Sequence, residues 1–285
     1  MCPILQCKER ARAMYSDRLR NTVVLALGLT VIDAARKLMS GAGLGFSETF
    51  FSVAGNLLLA YFLIWLQGRC RLQRRSVALL LWVNLFIVGS FSNMLEGYFF
   101  TSVFESANQF IAGGLYIMVF SGLEAGFASQ VLPAGENDLS ERLRAYIGGR
   151  TRAGLAMRVA LGALSYLPVY FFFGMLVIPF VMPYYTDPSM GLVVPPFSTI
   201  ISLEVLRGLI YVAVLLPVAA CLDADRLSTS VALAGVLFIP GALLPLLADQ
   251  GLPSQIIPFH LVEILAVSVV YSYILARLFA SKKRA

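Results

Sequence analysis

Apolar stretches of membrane-spanning length follow one another along almost the whole sequence, from Asn21 to Phe279. An α-helix needs about 20 mainly apolar residues to cross a bilayer. We identify eight such segments, at about 21–40, 47–67, 76–100, 106–129, 158–182, 198–221, 229–248 and 258–279. The first differs from the others because it contains Asp33, Arg36 and Lys37. The pattern predicts an all-α, polytopic membrane protein with about eight transmembrane helices.

Composition supports the same class and limits where chemistry could take place. The 285 residues are 59% hydrophobic and 13% charged, whereas soluble domains are about 45–50% apolar and about 25% charged. The apolar segments leave no room for a soluble catalytic domain of ordinary size, so any site must lie among the helices or in short loops. The first twenty residues are basic and polar, without the apolar core of a cleavable signal peptide. We therefore expect the first segment to be retained.

The Lys and Arg residues predict the topology. If the segments alternate in direction, the basic clusters in 1–20, 68–75, 130–157 and 280–285 all fall on one side of the membrane. The opposite loops, 41–46, 101–105, 183–197 and 249–257, contain no Lys or Arg. This asymmetry predicts a plasma-membrane protein with both termini in the cytoplasm. It also attributes the net charge of +6 to topology, so we expect no nucleic-acid partner.

The central connection divides the chain into two halves. We predict a basic N-terminal arm (1–20), a first four-helix half (21–129), a cytoplasmic linker (130–157), a second, proline-rich four-helix half (158–279) and a basic tail (280–285). Within the linker, Asp138 and Glu141 have the spacing of a helix-capping box and predict a short interfacial helix. Each even-numbered segment carries a carboxylate near its outer end: Glu48, Glu105, Glu204 and Glu263. The pattern indicates either a duplicated hairpin or a duplicated four-helix half. Parallel repeats of this kind occur in transporters.

Polar residues within the segments are the candidate functional residues. A charge in the hydrocarbon costs at least roughly 2.5–3.5 kcal/mol, so such groups usually face a cavity or a partner. The candidates share the outer half of the membrane: Asp33, Asn93, Glu96, Glu105, Glu204, Arg207, His260 and Glu263. Glu124 is a lone carboxylate of the inner half, which we interpret as part of a packing contact.

Helical spacing separates these candidates into two groups. Asp33 can be neutralised by Arg36 and Lys37, and Glu204 by Arg207. Asn93 with Glu96, and His260 with Glu263, have no basic partner at helical spacing. We therefore expect Glu96, His260 and Glu263 to converge on one outward-facing pocket. The single histidine predicts stronger cation binding above about pH 6.5 than below it.

Three functions are compatible with this pattern. The preferred interpretation is a small transporter or channel-like protein whose outward-facing acidic pocket takes a cation, a proton or a polar solute. An intramembrane enzyme could instead use His260 or a carboxylate on a lipid or lipid-linked substrate, and a non-catalytic subunit would use its surface to bind a partner subunit. The sequence contains no HExxH, GxSxG, Walker or dinucleotide-binding motif. It favours a protein that is not an enzyme, and we predict no cofactor and no metal.

Overall fold

A computed structural model describes residues 4–41, 43–104, 106–248 and 252–280, with side chains described from residue 16 onward except that of Ser47. The candidate Glu105 and most of the basic tail lie outside the described residues. The helices of the described part are α1 (Ile4–Met39), α2 (Phe46–Cys70), α3 (Arg74–Phe100), α4 (Ala107–Val131), α5 (Leu139–Gly148), α6 (Arg152–Tyr185), α7 (Phe197–Cys221), α8 (Arg226–Leu247) and α9 (Ile257–Phe279).

Seven of these helices, α2–α4 and α6–α9, are long and apolar enough to cross a membrane. The all-α, polytopic prediction is confirmed. The first predicted segment is helical as well, but only twelve residues separate Arg20 from Asp33, fewer than the about 20 that a span needs. It packs along α2 and α4, and α1 continues back through the predicted arm to Ile4. In the described part of the chain, seven apolar spans and one more polar helix thus correspond to the about eight transmembrane helices that the sequence predicts.

The two halves have the same helix order and the same packing partners. In the first half, α1 packs against α2 and α4, and α3 packs against α4; in the second, α6 packs against α7 and α9, and α8 packs against α9. Helices α2 and α7 both have 25 residues and end at a buried free cysteine, Cys70 and Cys221. This arrangement favours a duplicated four-helix half over a duplicated hairpin.

A π-helical turn interrupts the same helix in each half. The turns are Ile87–Phe91 in α3 and Ile239–Leu243 in α8, and each follows a 13-residue α-helical segment. The surrounding sequences, LFIVG and LFIPG, differ at one position. In the first turn the Ser92 amide donates to the carbonyl five residues earlier, which is the π-helical bond and accommodates one extra residue. Such turns are frequent at functional sites.

The two π turns pack against each other where the halves meet. A side chain on Gly89 or Gly241 would press on the opposite turn, because a Cβ there would lie 3.4 Å from Pro240 and 3.0 Å from Val88, respectively. Asn93 fixes the contact: its Nδ2 donates to the carbonyl of Gly241 at 2.9 Å and to that of Gly89 at 3.1 Å.

Helix α5 ties the two halves together on the side of the basic loops. Asp138, the residue just before its first turn, accepts from the side chains of Gln73 and Ser76 at the start of α3. Farther along, Arg142 forms a bidentate ion pair with Asp223, at 2.7 and 2.9 Å. The hydroxyl of Tyr146, on the same helix, donates to the last carbonyl of α9 at 2.8 Å.

Asp138 caps α5 as the sequence predicted, and we expect this cap to make stability depend on pH. Hydrogen bonds from the Ser140 hydroxyl and the Glu141 amide lower the pKa of Asp138 from 3.8 to about 2. The ionised carboxylate therefore stabilises the fold fully above about pH 3.8, and the contribution is lost as the pH falls through about 2. Asp138→Ala should lower the melting temperature at pH 5, and the difference from the unaltered protein should shrink toward pH 2. A difference that stays constant over this range would show that the cap does not stabilise the fold through its charge.

Candidate functional site

A cavity of about 430 Å³ lies between the two halves, toward the connections that contain no Lys or Arg. We call this the Lys/Arg-free side. The connections on this side contribute Thr101, Phe104 and Leu252 to the cavity wall, and each of the eight long helices contributes at least one residue. Its volume is within the range of small-molecule sites, about 300–1,000 Å³.

Arg207 of α7 is the most heavily bonded charged group of the cavity. Its Nη1 lies 3.2 Å from each carboxylate oxygen of Glu204 and also donates to Glu96 of α3. Its Nη2 donates to the Tyr211 hydroxyl at 3.0 Å. Glu204 is fully buried and Arg207 is 7% exposed, so Glu204 lies behind Arg207 while Arg207 and Glu96 line the cavity.

The pairing of Glu96 corrects an expectation from the sequence. Its helix offers no cation at a spacing of three or four residues, yet Glu96 has an ion-pair partner in Arg207. The partner belongs to another helix, because α3 and α7 pack together at the contact between the halves. Helical spacing cannot detect such a pair.

His260 and Glu263 of α9 form a second polar pair on the cavity wall. The imidazole Nδ1 lies 3.1 Å from Glu263 Oε2, and both side chains are mostly buried. His260, Glu263 and Glu96 all line the same cavity. Two tyrosines, Tyr170 and Tyr185, complete this part of the wall.

The first half contributes the ion pairs of Asp33. This carboxylate pairs with Arg36, lies 3.8 Å from Lys37 Nζ, and accepts from the Ser52 hydroxyl at 2.8 Å. Asp33 and Arg36 line the cavity together with Asn56 of α2. The self-neutralising set that helical spacing suggested is therefore present, and it faces the same cavity as the second-half residues.

Sequence reasoning missed Glu124 of α4 as a cavity residue. It lines the cavity and makes no hydrogen bond or ion pair with any described residue. Arg36 and Asp33 are charged residues of the first half that line the same cavity. Its sequence signal is an unpaired carboxylate inside an apolar span, between Gly122 and Gly126, but glycines four residues apart also favour a packing contact.

The tyrosines of the cavity are not among the candidates from the sequence, because aromatic residues are common in membrane helices and at their ends. Tyr166 and Tyr211 pack edge to face, with ring centroids 5.1 Å apart, beside the Arg207 guanidinium. A helix-by-helix view of the sequence gives no sign that these rings meet. Among the remaining candidates, Asn93 lines the cavity in addition to bridging the π turns.

Carboxylates outnumber cationic side chains around this cavity. Among the described residues, five carboxylates and three cations lie in or directly behind its wall: Asp33, Glu96, Glu124, Glu204 and Glu263, with Arg36, Lys37 and Arg207. No group of three or more His, Cys, Asp or Glu side chains in the described part of the chain is arranged to hold a metal ion. The arrangement can attract a cation or take up protons.

No protein-family model, curated protein or solved structure matches this chain.

Proposed function

We propose that this integral membrane protein binds a small positively charged solute, or a proton, in the cavity between its halves and carries it across the membrane. The excess of carboxylates over cationic side chains around one cavity at membrane depth carries this proposal. Ionisable groups at that depth are costly and usually mark substrate or ion pathways. A binding site between two parallel repeats is also a recurrent arrangement in transporters.

The side of the cavity that faces the basic loops favours a transporter over an open channel. There the helices are joined by buried leucines, among them Leu25, Leu63, Leu81, Leu215 and Leu233, none more than 6% exposed. A polar solute cannot pass such a tightly packed layer without a change in helix packing. The proposal therefore requires the halves to rearrange during each transport cycle.

We propose that the basic side faces the cytoplasm and that the protein resides in the plasma membrane, because Lys and Arg are retained on the cytoplasmic side. In a background with Cys2 and Cys7 replaced by serine, Ser189→Cys should react in intact cells with a thiol reagent that cannot cross membranes. Arg144→Cys should react only after permeabilisation. Both positions are exposed in the fold, so the reverse pattern would overturn the orientation.

Transport can be tested in liposomes that contain the purified protein. We expect an imposed membrane potential to drive uptake of protons, of sodium ions or of a small ammonium ion, followed with an internal pH dye or with labelled ions. Glu263→Gln and Glu124→Gln should each lower the flux about tenfold or more, because each removes a charged partner of the solute. Glu136→Gln is the matched control, since this carboxylate is 90% exposed on the basic side. Unchanged flux in both cavity variants would refute the proposal.

The His260–Glu263 pair supports a second candidate, an intramembrane enzyme. A carboxylate that orients an imidazole is a common general-base arrangement. An enzyme should lose all turnover of a lipid-linked substrate in His260→Gln, whereas a transporter should keep measurable flux in that variant. Flux that persists without His260 would therefore exclude this role for the imidazole in the measured activity.

A further inference from the structure

Tyrosine side chains form the part of the cavity wall around Glu96 and Glu263. Tyr170 and Tyr185 line the cavity together with both carboxylates, and Tyr170 lies one helical turn before Gly174, where an added Cβ would lie 3.4 Å from Glu263 Oε1. Neither hydroxyl makes a hydrogen bond with a described residue. Aromatic surface and carboxylate oxygens are thus available at the same place.

The same cavity wall already holds one organic cation, the guanidinium of Arg207. Its central carbon lies 5.7 Å from the ring centre of Tyr166 and 5.6 Å from that of Tyr211, within the range of cation–π attraction. Carboxylates complete the contact, with Glu204 at 3.2 Å. In this fold, tyrosine rings and carboxylates together therefore already surround one organic cation, the Arg207 guanidinium.

The two carboxylates that bind Arg207 differ in their access to the cavity. The Glu204 side chain is fully buried, whereas that of Glu96 is 33% exposed. Glu96 can turn to a cation in the cavity while Arg207 keeps its bonds to Glu204 and Tyr211. A bound solute would thus share Glu96 without leaving a buried charge unpaired, which would be costly.

Two serine hydroxyls of the cavity wall are available to a ligand. Ser121 and Ser268 are 3% and 2% exposed, line the cavity and make no hydrogen bond with any described residue. Polar groups in such a place bond to water or to a ligand. Ser268 lies five residues beyond Glu263 on α9, about 7.5 Å along the helix and about 140° around its axis. Both side chains nevertheless line the cavity, so a small molecule inside it can contact both.

We propose that the solute is an organic ammonium ion that also carries a hydrogen-bonding group. Its ammonium lies between Glu96 and Glu263, against Tyr170 and Tyr185, and its polar group bonds to Ser268. This assignment rests on the proposed function and names its solute class. Aromatic rings favour organic ammonium ions, which are recognised in this way elsewhere.

Titration calorimetry on the full chain in lipid nanodiscs tests the ammonium site, with tetraethylammonium chloride as probe and sodium chloride at equal ionic strength as reference. We expect tetraethylammonium binding that sodium does not displace. Tyr170→Leu should weaken binding about tenfold, whereas Tyr170→Phe should keep it within about threefold, because only the leucine variant loses the ring. Tyr61→Leu is the matched control, because Tyr61 lies on the exposed face of α2, away from the cavity, and is 65% exposed. Equal affinity in Tyr170→Leu and the control would overturn the proposal.

The serine contact is tested with two primary ammonium probes. Ethanolammonium should bind more tightly than ethylammonium, and Ser268→Ala should remove that difference while leaving tetraethylammonium affinity unchanged. An unchanged preference in Ser268→Ala would overturn this part of the proposal. If sodium or proton flux depends on Glu263 but no ammonium probe binds, the solute class is wrong and the transport proposal stands. If ammonium probes bind as expected but nothing is transported, the binding site stands and the transport proposal fails.

Discussion

Replacing Arg207 by glutamine should destabilise the protein more than any other single change at the cavity. The substitution leaves Glu204 fully buried without a cation and removes the partner of Glu96. Breaking a buried ion pair from one side costs about 3–5 kcal/mol, because the remaining charge is poorly solvated. The loss should appear as a lower melting temperature and a lower yield of the purified protein.

Variants of its partners identify the cause of that loss. Glu204→Gln should cost less than Arg207→Gln, because Arg207 keeps Glu96 as its counter-ion. The double variant Glu204→Gln/Arg207→Gln should be more stable than Arg207→Gln alone, since it leaves no fully buried charge. Arg142→Gln is the control: it breaks a partly exposed ion pair with Asp223, and exposed pairs contribute about 0–1 kcal/mol. Losses that simply add in the double variant would show that Glu204 and Arg207 do not act as a unit.

Gly208→Ala should produce the second large effect, through the contact between α6 and α7. A Cβ at Gly208 would lie 2.3 Å from the carbonyl oxygen of Ala163, a backbone atom that cannot rotate away. The helices must separate, and overpacking of this kind costs about 1–3 kcal/mol or more. Because Gly208 follows Arg207, we expect weaker binding of cationic probes as well as a lower melting temperature.

Gly126→Ala on α4 is the matched control for this prediction. No atom of a neighbouring residue lies within 4 Å of its added Cβ. Alanine favours a helix by about 0.5–1 kcal/mol relative to glycine, so the control should be as stable as the unaltered protein or slightly more so. If both glycine variants melt at the same temperature, the contact between α6 and α7 is not as tight as the structure shows.

The helices were predictable because the bilayer sets their length and composition. The segment predicted at 47–67 is Phe46–Cys70 in the structure, and the one predicted at 158–182 is Arg152–Tyr185. Predicted ends fall short where the helix continues through polar residues, because an apolar-length criterion stops there. Helix α1 is the extreme case, since its first part lies in the sequence that we predicted to be an arm.

The sequence predicts the membrane depth of the candidate residues well, but it predicts their ion-pair partners on other helices less well. Ionisable residues at one level of several helices, such as Glu96 and His260, stand out against an apolar background because of their cost. Spacing along one helix found the Glu204–Arg207 pair, but the bond from Arg207 to Glu96 joins α7 to α3 and depends on how the halves pack. Glu124 was misassigned for the same reason: the sequence does not show which face of α4 meets the cavity.

The π turn in α3 has a consequence for the position of Glu96. Each residue of an α-helix turns the chain by about 100°, and a π turn amounts to one inserted residue. If the same residues formed a regular α-helix instead, everything beyond Ile87–Phe91 would rotate by about that angle, and Glu96 would point away from Arg207 although no residue of the ion pair had changed. Deleting one residue from Ile87–Phe91 should have the opposite outcome: the turn can close as regular α-helix, and Glu96 keeps its direction toward Arg207. The direction of this carboxylate therefore depends on a wider turn nearly two helical turns away, and the equivalent helix of the other half contains such a turn as well.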